Sequence, residues 1–235
     1  MRTGNKHRLR VTGRWAAVFV PAFLIAWSLD PLVYRAVLDE SKAARDWVEL
    51  LRQVGYFPTW VGVALLLWLL DAGRGPEGRR AAETLGTLAT PREPKPWHHR
   101  GGLVLLAVII SGLLTDVLKP IIGRLRPDAE GVARFADRPW ILWAQDHWIG
   151  FGLPSGHTTV AYAGCGMLAL LIPAWRWPML TLAAGCALTR LYAGAHALSD
   201  TVAGAWVGLA VAAWLFAWGA GPRRGPAGGL VPAES

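Results

Sequence analysis

The sequence is poor in charged residues and in cysteine, and each shortage excludes a class of protein. Only 17% of its 235 residues are charged, whereas 53% are hydrophobic. This balance excludes an ordinary soluble domain and is typical of a membrane protein. The two cysteines, Cys165 and Cys186, both lie among apolar residues. We interpret them as small core residues rather than as a disulfide framework or a metal site.

The chain carries a formal net charge of +8, but the basic residues do not form one block. They fall between hydrophobic runs, whereas a nucleic-acid-binding protein concentrates them on one patch of a soluble fold. We therefore expect a membrane as the partner and no nucleic acid.

Hydrophobic runs define the fold class. A bilayer core about 30 Å thick requires roughly 20 apolar residues per helix, or somewhat fewer where polar ends reach the headgroups. Six stretches qualify, at residues 15–29, 54–70, 103–118, 157–172, 177–191 and 201–218. The sequence therefore predicts an all-α, polytopic membrane protein with a bundle of six transmembrane helices. We expect residues 1–235 to form a single domain, with a basic cytoplasmic segment at 1–14 and a flexible tail at 220–235.

The first hydrophobic stretch follows basic residues, as in a signal peptide, but no small-x-small cleavage site follows Leu29. We interpret it as a retained helix. Lysine and arginine in short loops favour the cytoplasmic side. An inside N-terminus places 14 of the 24 basic residues there. This distribution predicts that both termini are cytoplasmic.

With this topology, three separate segments reach the same outer face of the membrane, at residues 119–127, 154–157 and 190–200. Together they supply cations, hydrogen-bond donors and two imidazoles, a set suited to binding and transferring a phosphate. The candidate site residues are Lys119, Arg126, Ser155, Gly156, His157, Arg190, His196 and Asp200.

The residue types also predict a separate role in phosphoryl transfer for each of these side chains. Lys119, Arg126 and Arg190 can neutralise phosphate oxygens, and Ser155 and Gly156 precede an apolar helix whose N-terminus favours an anion. His196 and Asp200 are four residues apart, so on a helix the carboxylate can bind one ring nitrogen and leave the other to attack phosphorus. His157, from another segment, would protonate the leaving oxygen and later activate water.

These residues resemble the three-part signature of the type-2 phosphatidic acid phosphatase superfamily. Lys119 is followed after six residues by Arg126-Pro127, and the sequence Pro-Ser-Gly-His occupies 154–157. Arg190, His196 and Asp200 complete the third part, with Thr189 where the family usually has serine. The resemblance covers about residues 103–218. It implies a metal-independent lipid phosphatase with the same roles for these residues, a phosphohistidine intermediate and a location in the bacterial inner membrane.

The motifs do not select one substrate. An undecaprenyl pyrophosphate, a phosphatidylglycerol phosphate, phosphatidic acid or a lipid A phosphate would all fit, and the oligomeric state stays open. A phosphotransferase would use the same residues. A phosphate-solute transporter would instead need a site at the membrane midplane, and a haloperoxidase-type vanadate site belongs to soluble proteins. We expect no cofactor, and no metal at His157, His196 and Asp200, because three neighbouring cations oppose one.

Several residues outside this set also have predicted roles. Asp116, one turn before Lys119, is a candidate to orient it, although a helix-packing role is equally compatible. Arg124 is a candidate for a further phosphate contact, but we expect it to be a solvated loop charge. We expect His98 and His99 on the inner side and His147 on the surface, all away from catalysis. Trp140, Trp143 and Trp148 suit a headgroup-level aromatic belt that guides lipid entry.

Overall fold

The computed structural model describes residues 3–73, 100–145 and 150–220. Regular structure in these ranges is helical, with two isolated β-bridges and no strand. The helices are α1 (Thr3–Val37), α2 (Glu40–Ala43), α3 (Asp46–Gln53), α4 (Phe57–Gly73), α5 (Arg100–Ile122), α6 (Pro139–Gln145), α7 (Gly156–Leu171), α8 (Arg176–Tyr192) and α9 (Leu198–Ala220). Each of the six predicted hydrophobic stretches overlaps one of the six longest helices, which confirms the all-α prediction.

The number of membrane spans is supported only in part. Three helices are long and apolar enough to cross a membrane, over Ala17–Val37, Arg100–Ile122 and Leu198–Trp218. The count rises to four if α3 and residues Phe57–Asp71 of α4, which meet at a bend of 62°, form one broken span. With 16 and 17 residues, α7 and α8 fall short of the length required. Six spans therefore remain a prediction.

The core of the bundle is built around α7, which packs against α9, α8 and α5. Its small residues make this possible: Ala161 and Ala163 are fully buried, and Gly164 lies directly against the ring of Trp60 from α4. Small side chains let membrane helices approach closely where the hydrophobic effect offers little drive for association. Surrounded in this way, α7 holds its N-terminus, and the Pro-Ser-Gly-His sequence there, in a defined position.

The two cysteines are part of this core. Cys165 on α7 and Cys186 on α8 are both free thiols with no exposed surface. Their interpretation as small core residues is confirmed.

Gly101 provides a test of the contact between α4 and α5. A methyl group at this position would overlap the carbonyl oxygen of Ala64, a backbone atom that cannot move aside. We expect Gly101→Ala to lower the free energy of unfolding by about 1–3 kcal/mol through overpacking. Gly112 lies on the same helix with open space around it, so Gly112→Ala should be neutral or stabilising by up to about 1 kcal/mol. Equal unfolding midpoints of the two purified variants in detergent would contradict this packing.

Candidate active site

The three predicted segments meet at one end of the bundle. Lys119 lies in the last turn of α5, Ser155 is the N-cap of α7, and Asp200 lies in the first turn of α9. The Ser155 backbone N–H donates to the Asp200 carbonyl oxygen at 3.0 Å. A Cβ on Gly156 would lie 3.8 Å from the Lys119 ammonium nitrogen. The predicted convergence of distant segments is therefore present in the fold.

The ring of His196 is buried and oriented by the backbone. Its Nδ1 lies 2.9 Å from the carbonyl oxygen of Gly152. Because a carbonyl can only accept, Nδ1 carries the proton and Nε2 of the neutral ring carries the lone pair. The carboxylate of Asp200, which we expected to make this hydrogen bond, lies farther away, with Oδ2 at 3.6 Å from Nδ1. Gly152 therefore sets the tautomer and Asp200 acts on the ring mainly through its charge.

The surroundings of His196 also favour its neutral form. Burial is the main influence and lowers the pKa of His196 below its ordinary value. Asp200 opposes this effect, while the charges of Arg190 and Arg126 lower the pKa further. Only the neutral ring has a lone pair at Nε2, so a lowered pKa keeps His196 nucleophilic at neutral pH.

Asp200 is held by a buried network. Its Oδ1 accepts from the Arg124 guanidinium at 2.6 Å, and its Oδ2 accepts from the Ala197 backbone N–H at 2.9 Å. Arg124 also donates to the Ser199 hydroxyl at 2.6 Å and to Asp30 at 2.7 Å. The Ser199 hydroxyl in turn donates to Asp30 at 2.5 Å. One guanidinium is thus shared by two carboxylates, which fixes the position of Asp200.

The prediction that Arg124 is a solvated loop charge is wrong. Arg124 is only 2% exposed, and its guanidinium stacks over the Trp27 ring at 4.1 Å from the centroid. Asp30, its partner on α1, is 4% exposed and was not among the site residues that the motifs predicted. The signal was present in the sequence, because a carboxylate next to an apolar membrane stretch marks a functional position by default.

His157 faces the site from α7. Its Nε2 is a buried atom without a hydrogen-bond partner among the described residues. The positive charges of Arg190 and Lys119 both act on this ring. An imidazole with an open nitrogen among cations is suited to exchange a proton with a bound anion.

The remaining cations gather around the two histidines. Arg190, in the last turn of α8, is 8% exposed, and its Nε has no hydrogen-bond partner in the described part of the chain. Arg126 lies in the segment after α5, and its charge acts on Lys119, Arg190 and His196. The Lys119 ammonium nitrogen lies 3.7 Å from the carboxylate of the exposed Asp116, as the predicted role of Asp116 in orienting Lys119 requires. Buried positive charge in excess of nearby carboxylates favours an anionic ligand.

Two hydroxyls near the site have different surroundings. Ser155 is fully buried at the α7 N-terminus, where its Oγ accepts from the Thr158 hydroxyl at 3.0 Å. The first N–H groups of α7 have no partner within the helix, and the helix dipole favours an anion there. The Thr189 hydroxyl instead donates to the Cys186 carbonyl oxygen at 2.7 Å. The Thr189 hydroxyl proton therefore takes part in a hydrogen bond within α8.

The other predictions concern residues that the structure describes only in part. Trp140, on α6, is 56% exposed, as an aromatic belt requires. The side chain of Trp143 lies outside the described part of the structure, and so do His98, His99, His147 and Trp148. The aromatic-belt hypothesis therefore stays a prediction.

The structure is a helical bundle with two imidazoles and several cations at one end, and comparison with known proteins supplies the family. Residues 100–224 match the PAP2 superfamily. The chain belongs to this superfamily, which confirms the resemblance carried by the three motifs. The matched residues include the eight predicted site residues. They do not include α1 to α4, and Asp30 lies on α1.

Named relatives and a solved structure agree with this assignment. The chain is 32% identical over 207 residues to a lipid A 1-phosphatase of Rhizobium johnstonii, an alignment that covers 86% of this chain and 78% of the relative. It is 29% identical over 196 residues to a lipid A 1-phosphatase of Rhizobium etli, covering 81% and 79%. The crystal structure of a transmembrane PAP2-type phosphatidylglycerolphosphate phosphatase from Bacillus subtilis has a similar fold. Its TM-score is 0.52 at 19% identity, over 86% of this chain and 94% of that one.

Proposed function

We propose that this protein is an integral-membrane lipid phosphatase that works through a phosphohistidine on His196. The observation that carries the proposal is the contact between His196 Nδ1 and the Gly152 carbonyl oxygen at 2.9 Å. This contact leaves the lone pair of the neutral ring on Nε2, and the positive charges of Arg190 and Arg126 act on the same ring. Such a group is suited to attack phosphorus rather than only to bind a phosphate.

The reaction has two steps. In the first, Nε2 of His196 forms a bond to phosphorus while the bond to the lipid oxygen breaks, and His157 gives that oxygen a proton. In the second, His157 takes a proton from water, which attacks the phosphohistidine and releases inorganic phosphate. Lys119, Arg126, Arg190 and the α7 N-terminus stabilise the charge on the equatorial oxygens in both steps.

The substrate is a lipid whose tail stays in the bilayer while its phosphate enters the site. Lipid A 1-phosphate is the first candidate, because two relatives that share most of this chain's length carry that activity in their names. Phosphatidic acid, a phosphatidylglycerol phosphate and an undecaprenyl pyrophosphate present the same chemistry to the site and remain in the proposal.

The location follows from the distribution of charge. We propose a single multi-pass domain in the bacterial inner membrane with both termini in the cytoplasm and the site at the periplasmic interface. The support is the excess of lysine and arginine in the segments assigned to the inner side. Cysteines introduced into segments 1–14 and 119–127 should differ in labelling by an impermeant reagent, with only the second labelled from outside.

The decisive experiment is phosphate release by the purified protein from a panel of the four lipids and a water-soluble phosphate ester. We expect inorganic phosphate from at least one lipid, unchanged by a chelator because no step uses a metal. Transfer of the phosphate to a second lipid without release would identify a phosphotransferase. Phosphate binding without turnover of any lipid would favour a transporter, and activity lost with chelator and regained with one metal would overturn metal independence.

A further inference from the structure

The bend between α3 and α4 lies directly against His157, although it carries none of the three motifs and precedes the residues that match the superfamily. Gly55, within the bend, permits the contact, because a Cβ there would come within 2.7 Å of the His157 Cβ. The ring of Tyr56 meets the His157 ring edge-on, with centroids 4.7 Å apart. The bend therefore forms one wall of the site, on the side of the proposed acid.

Arg52 adds a further cation to this wall. Its guanidinium carbon lies 5.7 Å from the Tyr56 ring centroid, and its charge acts on both His157 and Arg190. One nitrogen pairs with Glu49 at 2.7 Å, but these side chains are 37% and 44% exposed, and an ion pair at such exposure is weak. The Nε of Arg52 is buried without a hydrogen-bond partner among the described residues. The guanidinium therefore retains donor capacity for an anion.

We propose that Arg52, with Tyr56 beside it, binds a negatively charged leaving group and so contributes more to the turnover of lipid pyrophosphates than to that of lipid monophosphates. This inference rests on the proposed phosphatase function. In an in-line transfer, the nucleophile and the leaving oxygen lie on opposite sides of phosphorus. With His196 as the nucleophile, the wall that contacts His157 is the leaving-group side.

The two kinds of substrate differ in the charge of the leaving group on this side of the site. With a pyrophosphate, Nε2 of His196 bonds to the terminal phosphorus and the bond to the bridging oxygen breaks. The bridging oxygen keeps the electron pair and takes a proton from His157, so a lipid monophosphate leaves as an anion beside Arg52. Water then hydrolyses the phosphohistidine to inorganic phosphate. A lipid monophosphate instead releases a neutral alcohol, which gains little from a guanidinium.

The test compares diacylglycerol pyrophosphate with phosphatidic acid of the same acyl chains, in the same detergent micelles. We expect Arg52→Gln to lower kcat/KM about tenfold or more for the pyrophosphate and by less than about twofold for phosphatidic acid, because a charge-assisted contact to the leaving group is lost. Retained turnover of phosphatidic acid also reports that the variant is folded. Arg45→Gln makes the same chemical change at an exposed position just before α3 and should leave both rates unchanged.

A second variant guards against a folding defect. Arg52→Lys keeps the charge but loses the planar fork, and we expect an intermediate loss confined to the pyrophosphate. An equal loss on both substrates in both variants, or no loss on either, would overturn the role of Arg52 while leaving the phosphatase function intact. Phosphate release from neither of these two lipids, with release from another lipid of the panel, would overturn this inference alone. Release from no lipid at all would overturn the proposed function as well.

Discussion

Replacing His196 with alanine is expected to reduce phosphate release by at least about a thousandfold, because covalent catalysis is lost as a whole with its nucleophile. The change removes a buried ring but leaves Asp200 paired with Arg124 and the Ala197 N–H. The protein should therefore stay folded. Phosphate release from the best lipid of the panel, together with the unfolding midpoint in detergent, measures both effects.

A labelling experiment distinguishes a nucleophile from a residue that only positions substrate. Wild-type protein quenched during turnover of a ³²P-labelled substrate should retain label in an acid-labile, base-stable form, as expected for a phosphohistidine. His196→Ala should retain none. With a substrate whose leaving group needs no proton, His157→Ala should accumulate the label, because its defect then falls on hydrolysis.

The matched control is His147→Ala, at a position that the sequence places in the outer loop away from the motifs. It should retain near-normal turnover. Near-normal phosphate release by His196→Ala would refute the nucleophilic role, and label that survives in this variant would assign the phosphoryl group to another residue.

Replacing Arg124 with alanine is expected to give the largest loss of stability. The change leaves Asp30 and Asp200, which are 4% and 0% exposed, without their shared counter-ion. Breaking a buried ion pair from one side costs about 3–5 kcal/mol because a buried charge is left uncompensated. In a chain of this size we expect the unfolding midpoint to fall by about 10 °C.

Arg134→Ala is the matched control for this change. The Arg134 side chain is 78% exposed and meets Asp128 at 3.5 Å, so its loss should cost no more than about 1 kcal/mol. The double variant Arg124→Ala/Asp30→Asn removes one of the two orphaned charges and should be more stable than Arg124→Ala alone. A double variant less stable than the single one would contradict the shared-charge account.

The sequence predicted the helices, and the segments that meet at one end of the bundle, for identifiable physical reasons. Long apolar stretches predict helices because unpaired backbone groups are costly in lipid. The topology then brought Lys119, His157 and His196 to one end of the bundle, since alternating helices return to the same face. Motif spacing added the resemblance to the superfamily.

The features of the site that the sequence did not predict depend on contacts between distant segments. Asp30 and Arg124 are 94 residues apart, and Ser199 lies 169 residues from Asp30. No local pattern encodes such pairs. The hydrogen bond from His196 goes to the backbone of Gly152, which has no side chain to mark it. The wall of the site at Arg52 depends on a 62° bend between two helices, which a single hydrophobic stretch does not reveal.

The shared guanidinium of Arg124 joins α1 to α9, the first and last of the described helices. Asp30 comes from α1 and Asp200 from α9, so the carboxylate beside His196 reaches its full set of partners only when these two helices have come together. During synthesis α1 enters the membrane long before α9 exists, and until then Arg124 has only one of its two carboxylates. We therefore expect the proposed activity to arise only after α1 and α9 have packed together, and a partly inserted chain to release no phosphate from lipids.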